Sequence, residues 1–141
     1  MFAELLARSN FSFLTGASHP AELVVRAKQL GLAALALTDR MGLYGSVRAH
    51  AQAQESEQAV IVGAELVLDP AVPSRSPTSP SEARLAALAQ APSVALLAQD
   101  HAGYSNLCRL ITLAHAGHPK GEGALRLEDL ARHHQGLVAV V

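Results

Sequence analysis

Phe2-Ala3-Glu4-Leu5-Leu6, then Ser9-Asn10-Phe11-Ser12-Phe13-Leu14-Thr15-Gly16-Ala17-Ser18-His19-Pro20, then Ala33-Ala34-Leu35-Ala36-Leu37-Thr38-Asp39-Arg40 follow one another within the first forty residues. The first run is apolar and short, as a strand is. The second is a patch of small and polar residues suited to a loop. Between the second and third lies a helix-forming segment. Leu23, Ala27 and Leu30 share one helical face, with Val24 beside them. Ser18 is the expected N-cap, Pro20 stands in the first turn, and Glu22 lies near the positive helix end. Gly31 is a natural stop. Ala33 to Thr38 is continuously apolar, as in a strand covered on both faces. The layout is strand, loop, helix, strand, with polar residues at the strand ends, where ligands sit in parallel α/β folds.

The alternation continues outward from this stretch. Gly42 to Gly45 reads as a loop, Ser46 to Gln54 as a helix, and Ala59 to Leu68 as a strand broken by Gly63-Ala64-Glu65. Asp69 to Pro80 holds four prolines and no periodicity, which predicts a flexible, proline-rich surface insertion within the domain. Ser81 to Gln90 is helix-prone with Ser81 as its cap, and Ser93 to Ala98 is strand-like. His101 to Ala116 is amphipathic through Tyr104, Leu107, Cys108, Ile111 and Ala114. A Gly-rich connection over His118–Ala124 precedes a short helix over Leu125–His134 and an apolar strand over Gly136–Val141. Strands alternating with helices predict a parallel α/β sheet or barrel. An apolar strand at the last residues predicts part of a larger barrel, because such a strand wants neighbours on both sides.

With 141 residues and a 50% hydrophobic composition, one domain with a sizeable core is expected. The formal net charge of −1 excludes a global field that would draw the chain onto nucleic acid. Cys108 is the only cysteine, so no internal disulfide can form, and a reducing cytoplasm is the expected compartment. Its place in the pattern is that of a small core residue. No basic-then-apolar leader and no run approaching the ~20 apolar residues of a membrane span occurs. Gly42, Gly45 and Gly63 fit no phosphate-binding spacing, and no Gly-x-Ser-x-Gly elbow is present.

Histidines and acids remain as candidates for chemistry. His115 and His118 are three apart, but Gly117 and Pro119 argue against a helix there. His133 and His134 are adjacent and diverge on a helix. Both pairs read as surface histidines near helix C-termini, where His⁺ is favoured. Asp39 and Glu65 each end a predicted strand. In a parallel sheet those ends lie on one side, so the two carboxylates could converge on a divalent metal. The plain alternative is that each caps a loop or pairs with Arg8 or Arg40.

Residues Phe2 to Pro20 resemble the start of a polymerase-and-histidinol-phosphatase (PHP) domain, in particular that of bacterial C-family DNA polymerases, the DNA polymerase III α subunits. Ser9-Asn10-Phe11-Ser12-Phe13-Leu14 and Gly16-Ala17-Ser18-His19-Pro20 are similar to the error-prone branch. Co-linear matches follow at Ala34–Asp39, Gly42-Leu43-Tyr44-Gly45, Ile61-Val62-Gly63-Ala64-Glu65, Leu96–Asp100 and Gly103–Thr112. The resemblance spans the chain except for the proline-rich segment.

The resemblance implies a distorted (β/α)7 barrel, of which residues 1–141 would be the first half to two-thirds, with a metal cluster at the strand C-termini. It implies His-x-His at the end of the first strand, where this chain has Leu6 and Arg8. It implies a histidine after Thr-Asp, where this chain has Arg40. Asp39 and Glu65 alone match ligand positions, and the later ligands would lie beyond Val141. Leucine binds no metal, and arginine stays protonated and cannot become a ligand. The expectation is that Arg8 and Arg40 replace the metals electrostatically, pairing with Asp39 and Glu65. No cofactor is then expected, and the segment is a structural platform for an error-prone polymerase in DNA replication and repair. It would contact DNA only indirectly and would not synthesise DNA alone, since the nucleotidyltransferase site lies downstream. Two alternatives stand beside it: a stand-alone metal-dependent PHP phosphoesterase using zinc or manganese, and a small module docking on mutagenic repair proteins.

Overall fold

The computed structural model describes residues 1–70 and 82–141. Among the described residues ten elements follow one another, strands and helices alternating except where α4 is followed by α5. Strand β1 (Ala3–Ala7), helix α1 (Pro20–Gln29), strand β2 (Ala34–Arg40), helix α2 (Ser46–Ser56) and strand β3 (Val60–Val67) form two successive strand–helix–strand units. Helix α3 (Glu82–Gln90), strand β4 (Ser93–Ala98), helix α4 (His101–His115), helix α5 (Leu127–Arg132) and strand β5 (Leu137–Val140) complete the order. The strands form one sheet in sequence order, β1 to β5, an open half of an α/β barrel.

The α/β architecture follows the sequence pattern, but the sheet is mixed. β1, β2 and β3 are parallel, whereas β4 is antiparallel to both β3 and β5. The cause lies in the connections. Leu68 N–H donates to Pro92 O at 2.9 Å, and Gln99 N–H to Gly136 O at 2.9 Å. Each connection around β4 therefore leaves and re-enters the sheet at the same end, which reverses the strand, whereas α1 and α2 cross over and keep their strands parallel.

Helices α1, α2 and α4 pack on one face of the sheet, while Leu88 of α3 meets Val67, which alternates to the other face. Leu35 and Leu37 of β2 meet Val24 and Ala27 of α1 and Ala49 and Ala53 of α2. Ala64 and Leu66 of β3, with Val94 and Leu96 of β4, meet Leu107, Leu110 and Ala114 of α4. The buried seam of α4 is Gly103-Leu107-Leu110-Ala114, so Tyr104, 44% exposed, is not part of the core stripe expected for it. Cys108 is only partly buried.

Local boundaries have local causes. The N-cap of α1 is His19 rather than Ser18. The Glu22 carboxylate accepts the His19 N–H at 2.8 Å, satisfying a donor left open at the helix start. Gly31, at φ +66°, ends α1 in a Schellman turn: its N–H donates to Lys28 O and that of Leu32 to Ala27 O. β3 runs unbroken through Gly63. A side chain there would meet Leu97 Cδ2 at 2.7 Å and Leu96 O at 2.8 Å, so the glycine admits close approach of β4. Leu125 belongs to no helix. It is fully buried and bridges to Leu68, which delays α5 to Leu127. The proline-rich insertion expected over 69–80 falls outside the described residues apart from Asp69 and Pro70, as does the Ser81 cap.

Candidate functional site on the inner face of the sheet

Side chains alternate between the faces of a strand, and the register of β2 on β3 decides where the two candidate acids go. Asp39 pairs with Ala64, and Arg40 with Glu65. Asp39 therefore shares the helix-covered face with Ala64, while Glu65 shares the inner face with Arg40. The expected convergence of Asp39 and Glu65 does not occur.

Asp39 is 2% exposed and is held by the loop after β1. Oδ1 accepts Ser9 N–H at 2.8 Å and Ser12 Oγ–H at 2.7 Å, and Oδ2 accepts Ser9 Oγ–H at 2.7 Å. Ser12 Oγ in turn accepts Arg40 N–H at 3.0 Å. The Ser9–Ser12 patch thus serves as a cradle of neutral donors for a buried carboxylate, and no arginine pairs with Asp39 among the described residues. Gly16 closes the loop, since a Cβ there would stand 2.0 Å from Ser9 O.

Glu65 takes both arginines. Its Oε2 lies 2.6 Å from Arg8 Nη2, its Oε1 3.6 Å from Arg40 Nη1, and Ser93 Oγ–H donates to Oε1 at 2.6 Å. The carboxylate is buried, while the Arg8 and Arg40 side chains are 38% and 37% exposed. Glu65, Arg8, Thr38 and Ser93 line a half-open cavity of about 140 Å³, with Leu6 and Ala95 on its apolar side. Leu6 and Arg8 thus stand at the positions where the resemblance implies His-x-His. Among the described residues no group of three His, Cys, Asp or Glu side chains is placed to hold a metal ion. The residues present do not fit a metal cluster.

The histidine pairs separate. His115 Nε2 lies 2.9 Å from Met41 O, and His118 Nδ1 lies 3.3 Å from Arg84 Nη2. His134 Nδ1 is 2.8 Å from Ala131 O. One charged cluster was not read from the sequence. Arg84 of α3, 2% exposed, stands 3.5 Å from Asp69 Oδ1 and 3.3 Å from Glu122 Oε2, and Glu122 is fully buried. Burial, with the Arg84 guanidinium beside it, holds His118 below its ordinary 6.5. These residues come from distant segments, so no spacing signals them.

An open α/β half-barrel with polar groups gathered at its strand ends defines the class, and residues 4–141 match the PHP domain: the chain belongs to the PHP domain family. Among individual proteins it is similar to the error-prone DNA polymerases of Anaeromyxobacter sp. (strain K), 54% identical over 116 residues, of Bordetella parapertussis, 45% over 131, and of Rhodopirellula baltica, 41% over 140. These matches cover 82%, 92% and 99% of this chain but 9%, 11% and 10% of those polymerases. The chain thus spans about a tenth of the length of the curated relatives it matches. A solved structure from Bifidobacterium adolescentis, named for metal-dependent phosphoesterase activity, shares the fold with a TM-score of 0.52 at 18% identity, over 81% of this chain and 34% of that one. No helix among the described residues is long and apolar enough to cross a membrane.

Proposed function

We propose that this chain is the N-terminal PHP segment of an error-prone DNA polymerase of the III α type, a metal-free structural platform on which the polymerase body packs. It would act in the cytoplasm during replication across damage and repair, touching DNA only through the rest of the enzyme. One observation carries the reading: Glu65 is held by Arg8 and Arg40 on the inner face, where metal chemistry would need neutral or anionic ligands. Guanidinium cannot be deprotonated to serve as one. Charge neutralisation of the buried carboxylate, which a cation would otherwise supply, comes from the side chains themselves. Exposed Phe2, Phe13 and Leu14 supply apolar surface for packing.

A thermal melt with and without excess zinc or manganese tests this. A metal bound only by the native state at 100 times its Kd adds about 2.7 kcal/mol, a shift of several degrees for a chain of this size. The expected result is an unmoved melting temperature and no hydrolysis of p-nitrophenyl phosphate. A metal-raised melt with hydrolysis would assign a phosphoesterase instead. Arg40→His should bring no stoichiometric zinc, and tight one-to-one zinc in that variant would overturn the replacement of metal by arginine.

A further inference from the structure

We infer that the loop after β1 and the start of α2 form the surface by which this chain docks on the polymerase body, Phe13 and Leu14 seating in an apolar pocket of the body that carboxylates rim. The inference rests on the polymerase reading and deepens it. Phe13 and Leu14 are 83% and 88% exposed, and Tyr44 and Val47, which follow β2, are exposed as well. Phe11 joins the two segments. Its ring centroid lies 6.3 Å from that of Tyr44, and the Arg48 guanidinium stands 5.8 Å from it. Large apolar side chains gathered in this way at a surface mark an interaction site.

The apolar tip stands on a rigid base. Ser12 Oγ–H donates to Asp39, and Ser12 Oγ accepts Arg40 N–H, which fixes the foot of the loop to β2. Ser12 O accepts the N–H groups of Thr15 and Gly16, each at 3.0 Å, so Phe13 and Leu14 crown a tight turn. Leu14 has φ +63°, a left-handed conformation that is costly for a bulky residue. The turn thus projects two apolar side chains into water, which becomes favourable when a partner covers them, and its rigidity lowers the entropy lost on docking. Electrostatics select the partner. Residues 5–21 and 40–54 contain no Asp or Glu but carry Arg8, Arg40 and Arg48. Arg8 and Arg40 share Glu65, whereas Arg48 makes no ion pair among the described residues. A second copy docked face to face would set like charges against each other. A single strand of nucleic acid would stack on the rings but leave aliphatic Leu14 and Val47 unused. A protein surface with an apolar pocket and an acidic rim suits both parts of the patch. This chain covers 9% and 11% of the Anaeromyxobacter and Bordetella polymerases, and a body in the same polypeptide presents its surface at high effective concentration.

The test places these 141 residues in the full-length Anaeromyxobacter polymerase, 54% identical over the match, in place of the matched segment. Phe13→p-benzoylphenylalanine is irradiated in that chimera, and the cross-linked peptides are identified by mass spectrometry. The expected product joins position 13 to apolar residues of the body that have Asp or Glu beside them. Arg48→Glu should cut its yield about threefold or more at low salt, an effect that fades as salt screens the charges. Phe13→Ser combined with Leu14→Gly should lower the melting temperature of the chimera by several degrees. The same pair of substitutions in the 141-residue chain alone should leave its melt unchanged or raise it, because the two side chains are exposed there and glycine relieves the backbone at position 14. Equal losses in the chain and the chimera would make the two residues merely structural and overturn the inference. Cross-links only to primer–template DNA or to a second copy would overturn it too, as would none at all. A chimera that fails to extend a primer overturns the polymerase reading and this inference with it. A chimera that extends one, without the cross-link or the loss of melting temperature, overturns this inference alone.

Discussion

Asp39 is buried and satisfied by three neutral donors from Ser9 and Ser12, so its removal strands those donors as well as the loop they anchor. Asp39→Ala should destabilise the chain by about 3 kcal/mol, the scale of a few hydrogen bonds to a charged group, measured by urea unfolding. His118 carries a pH signature. Its native pKa lies below the ordinary 6.5 because of burial and Arg84, so the unfolded chain takes up the proton first as pH falls. The stability attached to it is complete above 6.5 and is lost as pH drops below that value toward the native pKa. The melting temperature of the wild type should fall relative to His118→Gln over that range, and parallel profiles would refute the assignment. At this scale the sequence was half legible. The Glu65 pairing with Arg8 and Arg40 follows the expectation from residue chemistry. The place of Asp39 does not, because a single register step between β2 and β3 decides which face it takes, and no residue of either strand announces that register.

α4 shows how elements constrain one another through backbone. A Cβ at Gly103 would stand 1.9 Å from Gly136 O, so α4 and the turn before β5 touch main chain to main chain. Gly103→Ala should cost about 1–3 kcal/mol or more through overpacking, seen as a lowered denaturation midpoint. Leu107, fully buried between α4 and the sheet, should cost about 2–5 kcal/mol on truncation to Ala. The existence and type of the elements were legible, because 3.6-residue and two-residue patterns are written locally. The direction of β4 was not. It depends on where the connections re-enter the sheet, seen in the Leu68–Pro92 and Gln99–Gly136 hydrogen bonds, and that is a meeting of distant residues. The seam of α4 was misplaced by a turn's fraction because Gly103, with no side chain to signal burial, is the residue that makes the closest approach.

At the scale of the whole molecule, α1, α2 and α4 cover one face of the sheet, and among the described residues β1 and β5 are its edges. An edge strand with unpaired backbone groups is a template for association. Light scattering of the 141-residue chain should show concentration-dependent self-association, reduced by Val138→Lys, which places a charge on the half-exposed edge strand β5. The Arg84–Asp69–Glu122 cluster belongs to this scale too, since it ties α3 to chain segments on either side of β4 and α4. The pairing of Glu65 with two arginines has a consequence for supply. A metal-built inner face exists in several loadings, empty, partial or full, and its shape follows the ion pool and any chelator present. Guanidinium groups are covalently carried and stay charged throughout the physiological range, so every copy leaves the ribosome with its counter-charges already aboard. On the proposed metal-free reading, a polymerase body packing against this face would meet a single surface, whether the surroundings are rich or starved in metal.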